Sequence, residues 1–358
     1  MKILIIGGTN FIGPFLVRHL LTMGHHVTIF HRGKTKAELP QNVNHIYGDR
    51  SQLQDFKREF ESLSPDVVVD MICYTESEAR ILMNVFKGIT RRVVGISSMD
   101  IYRAYGIILG QESGVIKVPL TEDSAIRSSL YPFKDMPQRA LNAPADYEKI
   151  LVEKVIMSDS DLPGIIVRLP MVYGINDPLN RIFPYLQRMD DSRDAIVLLD
   201  SIAKWRGSYG YVENIGYAIA LAVTNERAKN RIYHVAEPET LSEQERITKI
   251  GELAGWKGQV VSLSQEKFPA DWNLPFNTEQ DWFVDSSRIR QELEYREIVP
   301  LEEALKKTIE WTRNHPSIEM QQLVVPWLLD YATEDAVMWG TGRNDFSVLP
   351  TSLLSVLT

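Results

Sequence analysis

The chain has 358 residues, a formal net charge of −8 and a hydrophobic fraction of 44%, which is enough apolar material for a large core in one or two domains. No long basic segment is present, so general nucleic-acid binding is disfavoured, and the longest apolar runs are too short to cross a membrane. Cys73 is the only cysteine, which excludes an internal disulfide and a cysteine-based metal cluster. Since the N-terminus also lacks the pattern of a signal peptide, we expect a cytoplasmic protein.

The N-terminal part of the chain alternates predicted strands and helices. The all-apolar run at 2–6 is typical of a strand buried on both faces, and apolar residues at helical spacing predict a helix over 11–23. Further strands are predicted in "HHVTIFHRG", "VNHIYGD", "PDVVVDMICY" and "TRRVVGISS", and helices in "SQLQDFKREFESL" and "SEARILMNVFKG". This alternation with short connections predicts an α/β fold, a doubly wound parallel Rossmann sheet with right-handed crossovers.

The stretch from 102 to 146 has no regular pattern and is rich in Gly, Pro and Ser, as expected for an active-site flap or a surface insertion. Beyond it, helices are predicted in "DYEKILVEKVIM", "LSEQERITKIGELAG" and "PLEEALKKTIEW", and strands in "GIIVRL" and "RIYHVA". The segment "SYGYVENIGYAIALAV" is predicted as a helix entered from a short strand. Ser242 is the expected N-cap of one of these helices. The segment "EMQQLVVPWLLDYATEDAVM" is compatible with one more packed helix, and the last residues with a loose tail.

The predicted elements divide the chain into two parts. A Rossmann domain covers 1–170 and is completed by about 206–235, whereas 171–205 and 236–315 form a smaller part that closes a substrate-binding cleft. Ligands of open α/β sheets bind outside the carboxyl ends of the strands, where we expect the site. Residues 316–358 are an extension of unknown role.

A glycine turn, "GGTNFIG", stands between the first strand and the first helix. Gly7 permits the tight turn and Gly13 lets the helix approach the strand, so that main-chain amides at the helix N-terminus face a diphosphate. Asn10 replaces the usual middle glycine, and asparagine tolerates a left-handed backbone. A turn that binds nothing is the simpler alternative, but its position between strand and helix favours binding. The predicted cofactor contacts of this turn are Gly7, Gly8, Thr9, Asn10, Phe11, Ile12 and Gly13.

The residues after the second strand predict which dinucleotide binds. An acidic residue there would accept hydrogen bonds from ribose hydroxyls, but "FHRGK" provides His31, Arg32 and Lys34 instead. These groups suit a 2′-phosphate, so NADP is preferred and NAD remains possible; a solvated basic loop is the alternative. Asp49, after the third strand, either reaches the adenine amino group or caps a helix.

Several separate stretches together resemble the extended short-chain dehydrogenase/reductase family, in its NAD-dependent epimerase/dehydratase group. They are "GGTNFIG", "VVGISSMDIY", "VRLPMVYG", "YGYVENIGYAIALAV" and "VDSSRIRQELEYREIVPLEEALKKTIEW". The resemblance runs from residue 1 to about 315 and leaves 316–358 uncovered. The combination of "GGTNFIG" and "FHRGK" is most similar to the atypical branch that includes chloroplast stem-loop-binding proteins.

The resemblance implies a mechanism in which a Tyr exchanges a proton with the substrate, a Lys holds the nicotinamide ribose and a Ser binds the reacting oxygen. Ser98 and Lys149 match the family's serine and lysine. The tyrosine that should stand four residues before Lys149 is missing, because Ala145 occupies that position. Tyr147 is two residues from Lys149, roughly 200° around a helix, so we expect it to face elsewhere and to pack.

The remaining candidate residues are assigned by the same resemblance. Tyr102 and Tyr131 are the phenols that can replace the missing tyrosine, although ordinary packing is the alternative for both. Further cofactor contacts are assigned to Arg50, Cys73 and Pro170, and substrate contacts to Arg168, Arg206 and Tyr211. For Arg168, a buried ion pair is the alternative. No metal site is predicted from the histidine spacing, and no GxSxG elbow indicates a hydrolase.

Two functions are compatible with these features. The first is an NAD(P)-dependent oxidoreductase, epimerase or dehydratase acting on a sugar nucleotide or another small hydroxyl or carbonyl compound. The second is a catalytically impaired NADP-binding regulator or RNA-binding protein on the same fold. The expected partners are a small-molecule substrate and a second copy in a possible homodimer, with no membrane; a nucleic-acid partner is disfavoured but not excluded.

Overall fold

The computed structural model describes residues 1–35, 37–134, 144–269, 276–316 and 329–339. The strands are β1 (Lys2–Ile6), β2 (His26–His31), β3 (Asn44–Tyr47), β4 (Val67–Asp70), β5 (Arg92–Ser98), β6 (Gly164–Leu169), β7 (Met171–Tyr173), β8 (Ala195–Leu199), β9 (Tyr209–Tyr211), β10 (Arg231–His234) and β11 (Gln259–Leu263). The helices are α1 (Ile12–Thr22), α2 (Lys57–Leu63), α3 (Glu76–Phe86), α4 (Arg103–Ile108), α5 (Lys149–Ile156), α6 (Phe183–Asp190), α7 (Asp200–Lys204), α8 (Val212–Thr224), α9 (Glu243–Ala254), α10 (Ser287–Glu292), α11 (Leu301–Asn314) and α12 (Tyr331–Trp339).

The central feature is a seven-stranded parallel sheet with the order β10-β6-β5-β4-β1-β2-β3. Alternate residues of β1 point to opposite faces: Ile3 and Ile5 pack in one core, Leu4 and Ile6 in the other. Helices α1 and α8 cover the first face, and α3 and α5 the second. Apolar runs without alternation form such strands because both faces are buried. The predicted doubly wound Rossmann sheet is confirmed.

The strand order reverses between β1 and β4, which lie side by side although β2 and β3 separate them in the sequence. At such a switch point the loops after the two strands diverge to opposite faces and leave a crevice at the carboxyl edge. The glycine turn after β1 and the segment after β4 border this crevice.

Outside the main sheet, the C-terminal half contains two parallel strand pairs, β8 with β11 and β7 with β9. Helix α9 begins with a capping box in which the Ser242 hydroxyl accepts from the Glu245 N–H, as predicted. The assignment of these segments to a substrate-binding part stays a prediction.

The C-terminal extension contributes α12, which confirms a packed helix over the last eight residues of "EMQQLVVPWLLDYATEDAVM". Glu334 of α12 forms a buried ion pair with Arg188 of α6, and Val337 packs beside Leu199 and Phe268. Residues 319–328 of that segment, the expected tail from 340 onward, and residues 135–143 of the expected flap lie outside the described residues.

Candidate functional site

A cleft of about 710 Å³ lies at the carboxyl edge of the sheet, at the switch point between β1 and β4. The glycine turn forms one wall, and the loops after β2 and β3 form another. The segment after β4 closes one end, and Pro178, from the C-terminal half, also borders the cleft. The lining residues are 7–12, 30–35, 48–51, Met71, Ile72, Tyr74, Glu78 and Pro178.

The glycine turn has the geometry of a phosphate-binding loop. Gly7 and Gly8 have φ of 89° and 79°, and a Cβ on Gly13 would lie 2.3 Å from the Gly8 backbone. The left-handed residue that we expected at Asn10 is instead Phe11, with φ 46°, while the Asn10 carbonyl accepts from the Gly13 N–H at 2.9 Å. Phe11 is the N-cap of α1 and makes no side-chain cap. Because the Gly13 N–H is bonded to the Asn10 carbonyl and Pro14 has no N–H, the Ile12 N–H is the amide among the first three residues of α1 that can face an anion.

The loop after β2 brings cations to the same cleft. Arg32 and Lys34 are exposed and line it together with His31. On the same wall, Asp49 accepts hydrogen bonds from the Ser51 N–H and hydroxyl, which lower the pKa of its carboxyl. Asp49 therefore caps the short helix that follows β3 and also lines the cleft, so both predicted alternatives fit its position.

Arg50 lines the cleft, whereas Cys73 is not among its lining residues. The Arg50 guanidinium is buried and donates to the Asp70 carboxylate, with Glu78 at 3.5 Å, so its charge is largely compensated within the protein. Cys73 is buried, and burial raises the pKa of its thiol. Its backbone carbonyl, rather than its sulfur, takes part in the site, because it accepts a hydrogen bond from Lys149.

Lys149 is the first residue of α5 and is buried at the carboxyl ends of β4 and β5. Its Nζ donates to the carbonyls of Cys73 at 2.7 Å and Ile96 at 2.8 Å. The ring centroids of Tyr74 and Tyr147 lie 4.8 Å and 5.8 Å from Nζ, within cation–π range. Burial lowers the pKa of Lys149. Tyr74 also lines the cleft, so its side chain is in contact with both the cleft and the ammonium group.

The expected packing of Tyr147 is confirmed, because its ring is buried in a hydrophobic cluster, but the expectation that it faces away from Lys149 is wrong. Helix α5 does not begin near residue 146, because Glu148 is its N-cap and accepts from the Ile150 N–H with its own carboxylate. Tyr147 therefore precedes the helix, and the angular argument does not apply to it. Its hydroxyl donates to Asp100 Oδ2 at 2.6 Å, and burial raises the pKa of both groups.

Two residues of this region were missed in the sequence. Tyr74 follows β4 directly in "MICY", and its position at the carboxyl end of a strand was an available signal. Asp100 is almost fully buried, and one of its carboxylate oxygens has no hydrogen-bond partner among the described residues. No periodic pattern marked Asp100 as buried.

Ser98 ends β5, as predicted. Its hydroxyl accepts from the Asp100 N–H at 3.2 Å, so it caps the short helical turn 99–101. This capping role is the structural alternative to binding a substrate oxygen, and the catalytic role of Ser98 stays a prediction.

Tyr102 and Arg168 belong to a buried polar network rather than to the cleft lining. Arg168 pairs with Glu153 at 2.8 Å and donates to the Tyr102 hydroxyl at 2.5 Å, which also bonds to His234 Nε2. His234 Nδ1 lies 3.0 Å from the carbonyl of Asp285. Arg168 thus has the buried ion pair considered as its alternative role. Burial raises the pKa of Tyr102, which disfavours its phenolate.

The other assigned residues are dispersed. Tyr131 is 36% exposed with φ 59°, and its N–H donates to Glu148 Oε2 at 2.7 Å. The Arg206 guanidinium donates to the Thr240 carbonyl, whereas Tyr211 and Pro170 are buried. Within the described part of the chain, none of these four residues lines the cleft at the glycine turn.

The described residues were compared with two other features, a metal site and a membrane-spanning helix. In the described ranges, no group of three or more His, Cys, Asp or Glu side chains is placed to hold a metal ion. Among the helices of the described residues, none has the length and apolar character needed to cross a membrane.

Comparisons with known proteins agree with this architecture. The family model of the NAD dependent epimerase/dehydratase family matches residues 3–84. A 2′-dehydrokanamycin reductase of Streptomyces kanamyceticus is 23% identical over 295 residues, which are 80% of this chain and 75% of that protein. The chloroplast stem-loop binding protein of 41 kDa b of Arabidopsis thaliana is 39% identical over 83 residues, 20% of this chain and 22% of that protein.

Among solved structures, a UDP-glucose 4-epimerase of Thermus thermophilus in complex with NAD has a TM-score of 0.63 at 18% identity, covering 88% of this chain and 100% of that one. At this identity the likeness shows the fold. The match of the family model over residues 3–84 confirms the predicted resemblance to the NAD-dependent epimerase/dehydratase group.

Proposed function

We propose that this chain is an NAD(P)-dependent oxidoreductase, epimerase or dehydratase that acts on a sugar nucleotide or another small hydroxyl or carbonyl compound. The observation that carries the proposal is the glycine turn at the switch point of the sheet. A side chain on Gly13 would collide with the turn, and the first amides of α1 have no side-chain cap. A diphosphate fits this arrangement of donors and close backbone.

The loop after β2 supports NADP as the preferred cofactor. Arg32 and Lys34 are exposed cations that line the cleft beside the expected position of the ribose, where they can receive a 2′-phosphate. The complex of the Thermus thermophilus epimerase contains NAD, so NAD is the second possibility. Bound nicotinamide would supply hydride transfer, while the protein's own residues bind, orient and exchange protons.

Lys149 and Ser98 are the proposed residues at the nicotinamide end. The two carbonyls on Lys149 Nζ leave one ammonium hydrogen for a ribose hydroxyl. Tyr74 borders the same space, because its ring centroid lies 4.8 Å from the ammonium nitrogen and its side chain lines the cleft. The proton donor is a phenol that replaces the missing family tyrosine, and Tyr74 joins Tyr102 and Tyr131 as a candidate because it lines the cleft.

Binding of NADP tests the role of the glycine turn. We expect NADP to quench the tryptophan fluorescence of the wild-type protein with saturation and Gly13→Ala to abolish the quenching. Thr22→Ala is the matched control, because Thr22 is the exposed last residue of the same helix, at its end away from the glycine turn. Saturable binding that survives Gly13→Ala would place the ligand elsewhere.

A catalytically impaired NADP-binding regulator or RNA-binding protein is the second candidate. It is favoured by the covered ammonium group of Lys149 and by the match to the Arabidopsis thaliana stem-loop binding protein. A panel of sugar nucleotides and simple carbonyl compounds separates the two, with nicotinamide absorbance as the signal. The enzyme is supported if the wild type turns over a compound of the panel and Lys149→Met removes that activity. The second candidate is supported if the protein binds the cofactor, turns over no compound of the panel and shifts a stem-loop RNA on a gel.

A further inference from the structure

The loop that carries Arg32 and Lys34 is held by a histidine pair. His31 ends β2, and its Nδ1 accepts from the Gly33 N–H at 3.2 Å. Its other nitrogen, Nε2, lies 2.9 Å from Nδ1 of His45 on the neighbouring strand β3. The strands pair so that His31 stands opposite Tyr47, two residues after His45.

The hydrogen bonds fix the tautomers of both rings. Because the Gly33 amide is a donor, Nδ1 of His31 carries no proton, and the neutral ring holds its proton on Nε2. That Nε2–H then donates to His45 Nδ1. Partial burial and the neighbouring His45 lower the pKa of His31, which agrees with a neutral ring. His45 is therefore the acceptor that keeps His31 oriented toward Gly33.

The loop also rests on the ring of Tyr47. Gly33 has φ 70°, and a Cβ there would lie 3.2 Å from the Tyr47 ring. The Tyr47 and His45 rings are nearly parallel, at 11° and 5.9 Å between centroids. The backbone at Gly33 is thus fixed from two sides, and the flanking residues Arg32 and Lys34 line the cleft.

The charges around this pair are compatible with an anionic ligand. Arg32 and Lys34 lie in the loop itself, and Asp49 after β3 is the carboxylate whose pKa they help to lower. Asp49 is already bonded to Ser51. A phosphate beside Arg32 and Lys34 would therefore compete with one partly engaged carboxylate.

We propose that His45 is a positioning residue for cofactor selectivity. Acting through His31 and Gly33, it holds Arg32 and Lys34 where they receive the 2′-phosphate of NADP, and it does not touch the cofactor itself. This inference rests on the proposed function, since it requires that the cleft binds a nicotinamide dinucleotide. It assigns a role in selectivity to a residue of β3 that the sequence pattern did not single out.

The test compares two substitutions of His45 by the ratio of the dissociation constants of NADP and NAD, from titration calorimetry. His45→Phe keeps a ring but removes the acceptor, so we expect the NADP constant to rise about fivefold, as for one lost neutral hydrogen bond, with NAD unchanged within about twofold. His45→Asn retains an acceptor for His31 Nε2–H and should restore the wild-type ratio. His26→Ala, at the exposed start of β2, is the control and should leave both constants unchanged.

The outcomes are distinguishable. Equal weakening of NADP and NAD by His45→Phe would show a structural role only and overturn the inference, as would an unchanged ratio or a failure of His45→Asn to rescue it. In each of these cases the proposed function stands, because the wild type still binds. If the wild type binds neither dinucleotide, the proposed function and this inference fall together. Thermal melting of each variant verifies that the fold is kept.

Discussion

The Nζ of Lys149 lies 4.8 Å from the centroid of the Tyr74 ring and donates to the carbonyls of Cys73 and Ile96. The group that should meet the nicotinamide ribose is thus held by backbone acceptors and covered by an aromatic ring. This arrangement satisfies a buried ammonium group through backbone carbonyls and a ring face. It also makes the position of Tyr74 decisive for access to Lys149.

Lys149→Met should weaken NADP binding about tenfold or more, or abolish turnover, because a charged hydrogen bond contributes about 1.5–3 kcal/mol. Fluorescence titration and steady-state kinetics provide the two measurements. Lys154→Met, on the exposed face of the same helix, is the control. Equal behaviour of the two variants would remove Lys149 from the proposed site.

Arg32→Ala should reduce the affinity for NADP about tenfold and leave that for NAD nearly unchanged, since only NADP has a 2′-phosphate for the guanidinium. Arg58→Ala, exposed on α2, serves as the control. Calorimetry with both dinucleotides checks this. An NAD preference in the wild type that Arg32→Ala does not alter would contradict the predicted selectivity.

Tyr147→Phe should cost about 1–3 kcal/mol in the free energy of unfolding, because Asp100 loses its 2.6 Å hydrogen bond in a buried position. Urea denaturation measures this change. The sequence predicts that turnover is little affected, and among the described residues the Tyr147 hydroxyl bonds to Asp100, which does not line the cleft. Loss of turnover at unchanged stability would instead identify Tyr147 as the proton donor.

His234 should make the protein acid-sensitive. Burial lowers its pKa to about 3 from an ordinary value of 6.5, so the unfolded chain binds one more proton between these pH values. Stability is therefore retained above pH 6.5 and lost as the pH falls toward 3, by about 1.4 kcal/mol per pH unit for one proton. Urea denaturation across this range, compared with His234→Gln, isolates the contribution. If the stability of the wild type and of His234→Gln depended on pH in the same way, His234 would not be the cause of the acid sensitivity.

Glu334→Gln should destabilise the protein by about 3–5 kcal/mol, because Arg188 keeps its buried charge and loses its partner. Asp335→Asn breaks a more exposed pair, with side-chain exposures of 22% for Arg193 and 51% for Asp335, and should cost under about 1 kcal/mol. Chemical denaturation of both variants tests whether α12 is an integral part of the fold. If both variants lose less than about 1 kcal/mol in the free energy of unfolding, α12 is not an integral part of the fold.

Part of the site was predictable because its signals are local. The glycine turn, the strand run before it and the loop of Arg32 and Lys34 lie within one unit of strand, turn and helix, and the structure places them around one cleft. The capping box at Ser242 is equally local. Even there, the sequence placed the left-handed residue at Asn10, whereas packing of the turn assigns it to Phe11.

The sequence by itself determined the alternation of strands and helices, and with it the doubly wound sheet and the edge where the cleft lies, because burial on both faces and helical periodicity are visible in consecutive residues. Only the tertiary structure decided which groups surround Lys149, since its hydrogen-bond acceptor Cys73 lies 76 positions away in the sequence. The same holds for the hydrogen-bond partner of the Tyr102 hydroxyl, because His234 lies 132 positions away. The tertiary structure also decided where α5 begins and that His45 supports His31. Contacts between distant strands have no periodic signature; they follow from the order in which the strands pair.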